Sequence, residues 1–238
     1  MSDKVLGLMQ PYFFPYLGYF ALIERTTHWV VFDTAQYIRN GWVNRNRILH
    51  PTSGWRYVTI PVAKMPHDTP IREVGISPRF ADGRRILGQL EHYRSGAPYF
   101  GAVRDLVAEC LASGEASLSR LNVAALARVS DYLGISFAFE YFSEMDLELG
   151  EVGGPWDWAL RIGQAMGAHE YVNPPGAGDR FDRTSFSEAG IELTICDLPP
   201  MIYDTPGYTF EPGLSIIDVL MWNAPQAVRA YLESRRTP

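Results

Sequence analysis

The chain carries only two cysteines, Cys110 and Cys196, far apart and in no CxxC pair. That excludes a disulfide-knit scaffold and makes a reducing compartment the natural setting. Its histidines, His28, His50, His67, His92 and His169, are dispersed at spacings that match no zinc motif, so no metal centre is expected. There is no GxSxG nucleophile elbow and no HExxH pair. No apolar run approaches the roughly eighteen residues of a membrane span. The apolar stretch near the N-terminus is too short for a signal peptide and lacks a small-residue cleavage site. A soluble, cytoplasmic protein is expected. Positive charge is also scarce, with 21 Lys and Arg against 27 Asp and Glu and a net charge of -6, so no extended nucleic-acid surface is expected. A small anionic ligand needs only a few cations and stays open.

What is present points to an α/β protein. With 238 residues, 47% of them hydrophobic, the chain has material for one large domain spanning 1–238. Residues 4–9 form a short apolar run stopped by Gln10-Pro11, a buried strand leaving its sheet. Residues 17–25 have helical spacing, and 29–32 form a second β-favouring run ended by Asp33. Strand, short helix and strand within about 30 residues is a βαβ unit, parallel and right-handed. A polar loop with Asn40-Gly41 and Asn44-Arg45-Asn46-Arg47 precedes a third strand at 57–62. Helical periodicity over 83–93, 101–112 and 118–133 predicts a helical insertion or cap at 82–134. The βα alternation then resumes: strand 136–141, helix 156–166, strand 170–173, helix 185–189 and strand 192–196. Helices 215–222 and 225–234 close the chain. Gly134, Gly167 and Gly190 each end a helical run and precede a strand, as helix stops do. The fold class is an open, mainly parallel, Rossmann-like sheet.

Three stretches could carry chemistry. The first is Gln10-Pro11-Tyr12-Phe13-Phe14-Pro15-Tyr16-Leu17-Gly18-Tyr19, where the first strand hands over to the first helix, at the sheet edge that usually binds ligands. Two prolines fix this turn, aromatic residues crowd it, and Gly18 allows close approach. A packed aromatic corner is the plainer alternative. Gln10 and Tyr16, polar groups in a rigid apolar turn, are the catalytic candidates here, with Tyr12, Gly18 and Tyr19 as binding candidates. The second is Asp33, expected on the same rim as a third catalytic candidate, with Tyr37, Asn44, Arg45, Asn46 and Arg47. Amides there can donate and accept, and guanidinium groups suit phosphate or carboxylate; a solvated turn is the alternative. The third is Asn173-Pro174-Pro175-Gly176-Ala177-Gly178-Asp179-Arg180, where Asn173 and the N–H groups around Gly176 and Gly178 could hold an anion. Gly153-Gly154-Pro155 before a helix is similar, though such a start is commonly just a turn. Cys196 has no nameable base and is read as structural.

Together these stretches resemble the WbqC-like family of bacterial proteins over nearly the whole chain. The resemblance rests on MQPYFFPYLGYFALI, VVFDTAQYIRNGWVNRNRIL, EHYRSGAPYF, YVNPPGAGDRFDRTSFSEAGIELTI and LSIIDVLMWN. The family takes its name from an O-antigen polysaccharide cluster, and similar proteins occur in biosynthetic clusters. The chain departs from the family at Asp33-Thr34, where a pair of aspartates is usual. It departs again at Gly154-Pro155-Trp156-Asp157, where a Lys, or a Gly with a charged residue, is usual. A remoter resemblance joins Pro15-Tyr16-Leu17-Gly18-Tyr19 to the HIGH-type turn of nucleotidyltransferases and pantothenate synthetase, the HUP-like fold. Here the Gly is kept and both histidines are replaced, which weakens nucleotidyl transfer.

These resemblances imply a biosynthetic transferase or ligase acting on a small molecule. Acyl or aminoacyl transfer to an amino sugar or natural-product precursor leads. A HUP-type enzyme using ATP or another nucleotide, and a non-catalytic binding protein of a biosynthetic complex, are the alternatives.

Overall fold

The computed structural model describes residues 4–80 and 83–234; Asp82, the expected start of the helical insertion, lies outside them. The strands are β1 (Val5–Met9), β2 (His28–Val31), β3 (Arg45–Leu49), β4 (Trp55–Thr59), β5 (Phe139–Tyr141), β6 (Glu170–Asn173) and β7 (Glu192–Ile195). The α-helices are α1 (Leu17–Arg25), α2 (Arg84–Leu90), α3 (Phe100–Leu111), α4 (Leu118–Leu133), α5 (Trp158–Met166), α6 (Arg183–Glu188), α7 (Ile216–Trp222) and α8 (Pro225–Glu233).

Five strands form one wholly parallel sheet in the order β5-β2-β1-β6-β7. Strand alternation sorts its two faces. Leu6, Leu8, Val30 and Tyr171 pack with Leu160 and Ile162 of α5 and Phe186 of α6. Trp29, Val31 and Val172 turn to the other face and join α1, α3, α4, α7 and α8 in the larger core. Gly7 sits between Leu6 and Leu8 because Trp29 crosses it: a Cβ there would lie 2.7 Å from the indole ring. Helices on both faces of this parallel sheet bury its central strands, while the edge strands β5 and β7 stay partly exposed. The three helix stops act as expected, with Gly134 and Gly167 in the left-handed region at the ends of α4 and α5 and Gly190 left-handed just past α6.

The region between β2 and β5 departs from expectation. Arg45-Asn46-Arg47 open strand β3, directly after Asn44, rather than lying in a polar loop, and the expected strand at 57–62 runs Trp55–Thr59. The two pair antiparallel as a separate hairpin, from Arg45↔Thr59 to Leu49↔Trp55. Alternation explains it: Asn46, Ile48 and Val58 are buried, while Arg45, Arg47 and Tyr57 stay on the outer side. The first expected helix of the insertion is also shorter, α2 passing into a 3-10 turn at Glu91–Ser95. α2, α3 and α4 share the larger core with the hairpin, α7 and α8.

Candidate functional site

After β1 the chain moves to β2 on one side, and β6 later flanks β1 on the other. The crevice outside the carboxyl ends of β1 and β6 is therefore the topological switch point, where open parallel sheets bind ligands. A cleft of about 1250 Å³ opens there. Met9 and Gln10 at the end of β1, Asn173 and Pro174 at the end of β6, and Phe32 and Thr34 after β2 line its base. One lip is formed by Tyr12, Tyr16, Trp42, Asn46 and Arg47; the other by Gly154, Pro155, Trp156, Trp158, Gly176 and Phe181. Sequentially distant candidates thus meet in one place.

The first turn is held by bonds to its own backbone. Phe14 has φ 37, a left-handed value that a residue with a Cβ adopts only when its surroundings impose it. Its carbonyl accepts from Ser215 Oγ at 2.7 Å and Asn46 Nδ2 at 3.0 Å, and Asn46 Nδ2 also reaches the Phe13 carbonyl at 3.1 Å. Asn122, fully buried on α4, donates to the carbonyls of Pro11 at 2.8 Å and Val43 at 2.6 Å. The Pro15 carbonyl accepts from Ile216 N–H, and Tyr19 OH donates to the Gln10 carbonyl. With its backbone so engaged, Gln10 presents a side-chain amide that has no hydrogen-bond partner among the described residues, and it lines the cleft. The Tyr16 ring lies against Gly18, where an added Cβ would overlap it. Gly18 therefore permits this ring position over the start of α1.

Among the sequence candidates, Gln10, Tyr12, Tyr16, Asn46, Arg47, Asn173 and Gly176 line the cleft. Asn173 is held by Tyr171 OH at 2.9 Å and by its own bond to the Pro174 carbonyl. The others take different places. Asp33 does not reach the rim: it is 2% exposed and its carboxylate accepts from Ser143 N–H at 3.0 Å and Ser143 Oγ at 2.7 Å. It fastens the 3-10 turn Phe142–Glu144 after β5, and Thr34 faces the cleft instead. Tyr19 is fully buried, its ring against Tyr12 and Trp29. Tyr37 is buried, and Asn44 donates to the Ile60 carbonyl at 2.9 Å within the hairpin region. Arg45 stacks on Tyr57, 3.9 Å from its centroid, and bonds to Asn40. Gly178 packs on Ile195. Arg180 lies over Trp156.

Sequence reasoning missed the aromatic walls. Trp42, Trp156, Trp158 and Phe32 line the cleft, and Phe32 and Trp158 pack at 5.6 Å. The available signal is the pair Trp156 and Trp158 directly after the Gly153-Gly154-Pro155 turn.

The chemistry of the lining is narrow. Burial pushes the phenols of Tyr12 and Tyr16 above their ordinary range, with Tyr12 and Cys196 adding to the shift at Tyr16. Both are neutral hydroxyls at pH 7, able to donate hydrogen bonds. Among the described residues, no carboxylate, histidine, lysine or cysteine lines the cleft, and Arg47 is its charged side chain. Burial raises the Cys196 thiol as well, so it is no ready nucleophile. The described residues also hold no cluster of potential metal ligands, and no described helix is long and apolar enough to cross a membrane.

The fold and cleft define a parallel α/β protein with a ligand-sized crevice at its switch point. The chain belongs to the WbqC-like protein family, whose profile matches residues 10–230. It is 32% identical over 231 residues, 91% of this chain and 93% of the other, to the uncharacterized protein Rv1507c of Mycobacterium tuberculosis. No solved structure matches the chain, so the likeness to the nucleotidyltransferase fold has no structural neighbour behind it.

Proposed function

We propose that the protein is a biosynthetic transferase that joins an acyl or aminoacyl group to a small-molecule acceptor, an amino sugar or a natural-product precursor, in the switch-point cleft. The observation that carries this is a roomy aromatic cleft offering neutral hydrogen-bond donors and an unpartnered Gln10 amide. In direct transfer the acceptor amine or hydroxyl attacks the donor carbonyl. The new C–N or C–O bond forms, the bond to the donor's thiol or alcohol leaving group breaks, and the acceptor proton passes to that leaving group. Such a reaction needs positioning and a donor for the developing oxyanion more than a protein nucleophile. Gln10 Nε2 supplies the oxyanion donor, and Tyr16, a neutral phenol, relays the proton.

A nucleotide-using ligase fits this lining less well. The phosphates of a nucleoside triphosphate carry several charges, yet one cation lines the cleft, and the Tyr16 ring covers the first turn of α1, where phosphates otherwise sit. The non-catalytic alternative shares the cleft but needs no turnover. The test is a mass-spectrometric assay of purified protein with acyl and aminoacyl thioesters and esters against amino-sugar acceptors. Turnover of a donor–acceptor pair, reduced about a hundredfold in Gln10→Ala, is expected. No turnover across the panel, or turnover indifferent to Gln10, overturns the proposal.

A further inference from the structure

Charge is distributed unevenly along this acidic chain. Residues 34–67 hold Arg39, Arg45, Arg47, Arg56 and Lys64, five of its 21 cations, and none of its 27 acids. The cleft takes one of the five, Arg47. Its guanidinium stands 5.3 Å from the Trp42 ring centroid and 5.0 Å from that of Trp55, and Nη2 donates to the Gly213 carbonyl at 3.1 Å. Its Nε is buried with no partner. No carboxylate among the described residues pairs with it, whereas Arg25, Arg104, Arg128 and Arg161 all have acidic partners.

A guanidinium fixed between two indoles on a strand has little rotamer freedom left to lose on binding. Its planar fork fits a carboxylate or phosphate oxygen pair. With no acid in the lining, its charge is uncompensated by the protein. We infer that Arg47 is the anion subsite of the cleft, and that the ligand carries a single oxyanionic group, a carboxylate or phosphate monoester, joined to a flat apolar body. That body lies along the aromatic walls, with Trp42 beside the anion and Trp156 and Trp158 on the other lip. One cation matches one such group and not a polyphosphate. This rests on the proposed small-molecule cleft and names the class of molecule that occupies it.

A matched pair of dyes tests it: anilinonaphthalenesulfonate, a flat aromatic anion, and N-phenylnaphthylamine, the same ring system without the sulfonate. Fluorescence titration of the wild-type protein is expected to show the anion binding at least about tenfold more tightly than the neutral dye, the worth of one charge-assisted contact. Arg47→Gln brings that ratio close to one and leaves the neutral dye's affinity in place. Arg47→Lys, which keeps the charge and loses the fork, falls between. Arg45→Gln, on the same hairpin but outside the cleft, keeps the wild-type ratio. A wild-type ratio near one, or one that survives Arg47→Gln, overturns the Arg47 assignment while the cleft stands. Gly154 and Gly176 line the cleft and have open space where a side chain would go, so the double change Gly154→Trp, Gly176→Trp obstructs the lip opposite Arg47 and weakens both dyes. Binding of both dyes unaffected by that obstruction overturns the cleft and this inference with it.

Discussion

The two lips of the cleft are built on different physical terms. The lip of the first turn and the hairpin is fastened from behind: Asn46, Asn122 and Ser215, all buried, donate to its carbonyls. The opposite lip, leading into α5, has no regular structure from 145 to 153. It is tied at Asp157, whose carboxylate accepts from Gly153 N–H at 2.9 Å and Arg161 Nε at 3.0 Å. Those bonds hold Asp157 below its usual range, the Gly153 bond first. Trp156 beside it is 41% exposed, whereas Asn122 is 0% exposed. One lip is preorganised, its strained turn maintained by surrounding bonds; the other has few buried bonds to lose and can adjust to what it covers.

The largest contrast should appear on removing a fastener. Asn122→Ala leaves the Pro11 and Val43 carbonyls buried without their donor, at a cost of about 3 kcal/mol in urea unfolding. A loss below about 1 kcal/mol would mean the turn holds its shape unaided.

A smaller, pH-dependent effect belongs to the support of the same lip. Asp218, 1% exposed on α7, accepts from Tyr93 OH at 2.5 Å and Tyr203 OH at 2.7 Å, and Tyr93 OH in turn accepts from Leu49 N–H of β3. Burial raises this carboxyl above its ordinary value, against the lowering by the two phenol bonds. The folded state therefore binds the proton more tightly than the unfolded one. The stability this adds is full below the unfolded carboxyl range near about 4 and is lost as pH rises through the folded value. Asp218→Asn does not titrate. The stability advantage of wild type over Asp218→Asn should therefore narrow as pH rises from about 4 towards 7, read from urea midpoints. A widening gap reverses the assignment.

The smallest stability effect is expected on the adjustable lip. Trp156→Ala should change unfolding free energy by less than about 0.5 kcal/mol yet weaken binding of N-phenylnaphthylamine about tenfold. Equal effects on stability and binding would erase the distinction between the lips.

Much of this was legible from local pattern. The spans 170–173 and 17–25 match β6 and α1, because apolar runs bounded by Pro or Gly need no tertiary information. The rim position of Gln10 and Tyr16 followed from the βα turn. The hairpin was illegible for a definite reason: Asn-Arg-Asn-Arg reads as a turn by composition, and only tertiary bonding to the Phe13 and Phe14 carbonyls makes Asn46 an inward strand residue. Asp33 was misplaced for a similar reason. A strand-end carboxylate can point to the rim or cap a neighbour, and its partner, Ser143, lies 110 residues away. The aromatic walls come from separated segments, and no single window contains them.

The central claim is that a small molecule binds over the carboxyl ends of β1 and β6. Its most direct test is a crystal structure of the protein grown with a concentrated small-metabolite extract of its own cells. Density for a bound molecule in the cleft, beside the Gln10 amide and with an oxyanion at Arg47, is the expected result. A metabolite bound elsewhere on the molecule, with only water between the lips, would contradict it.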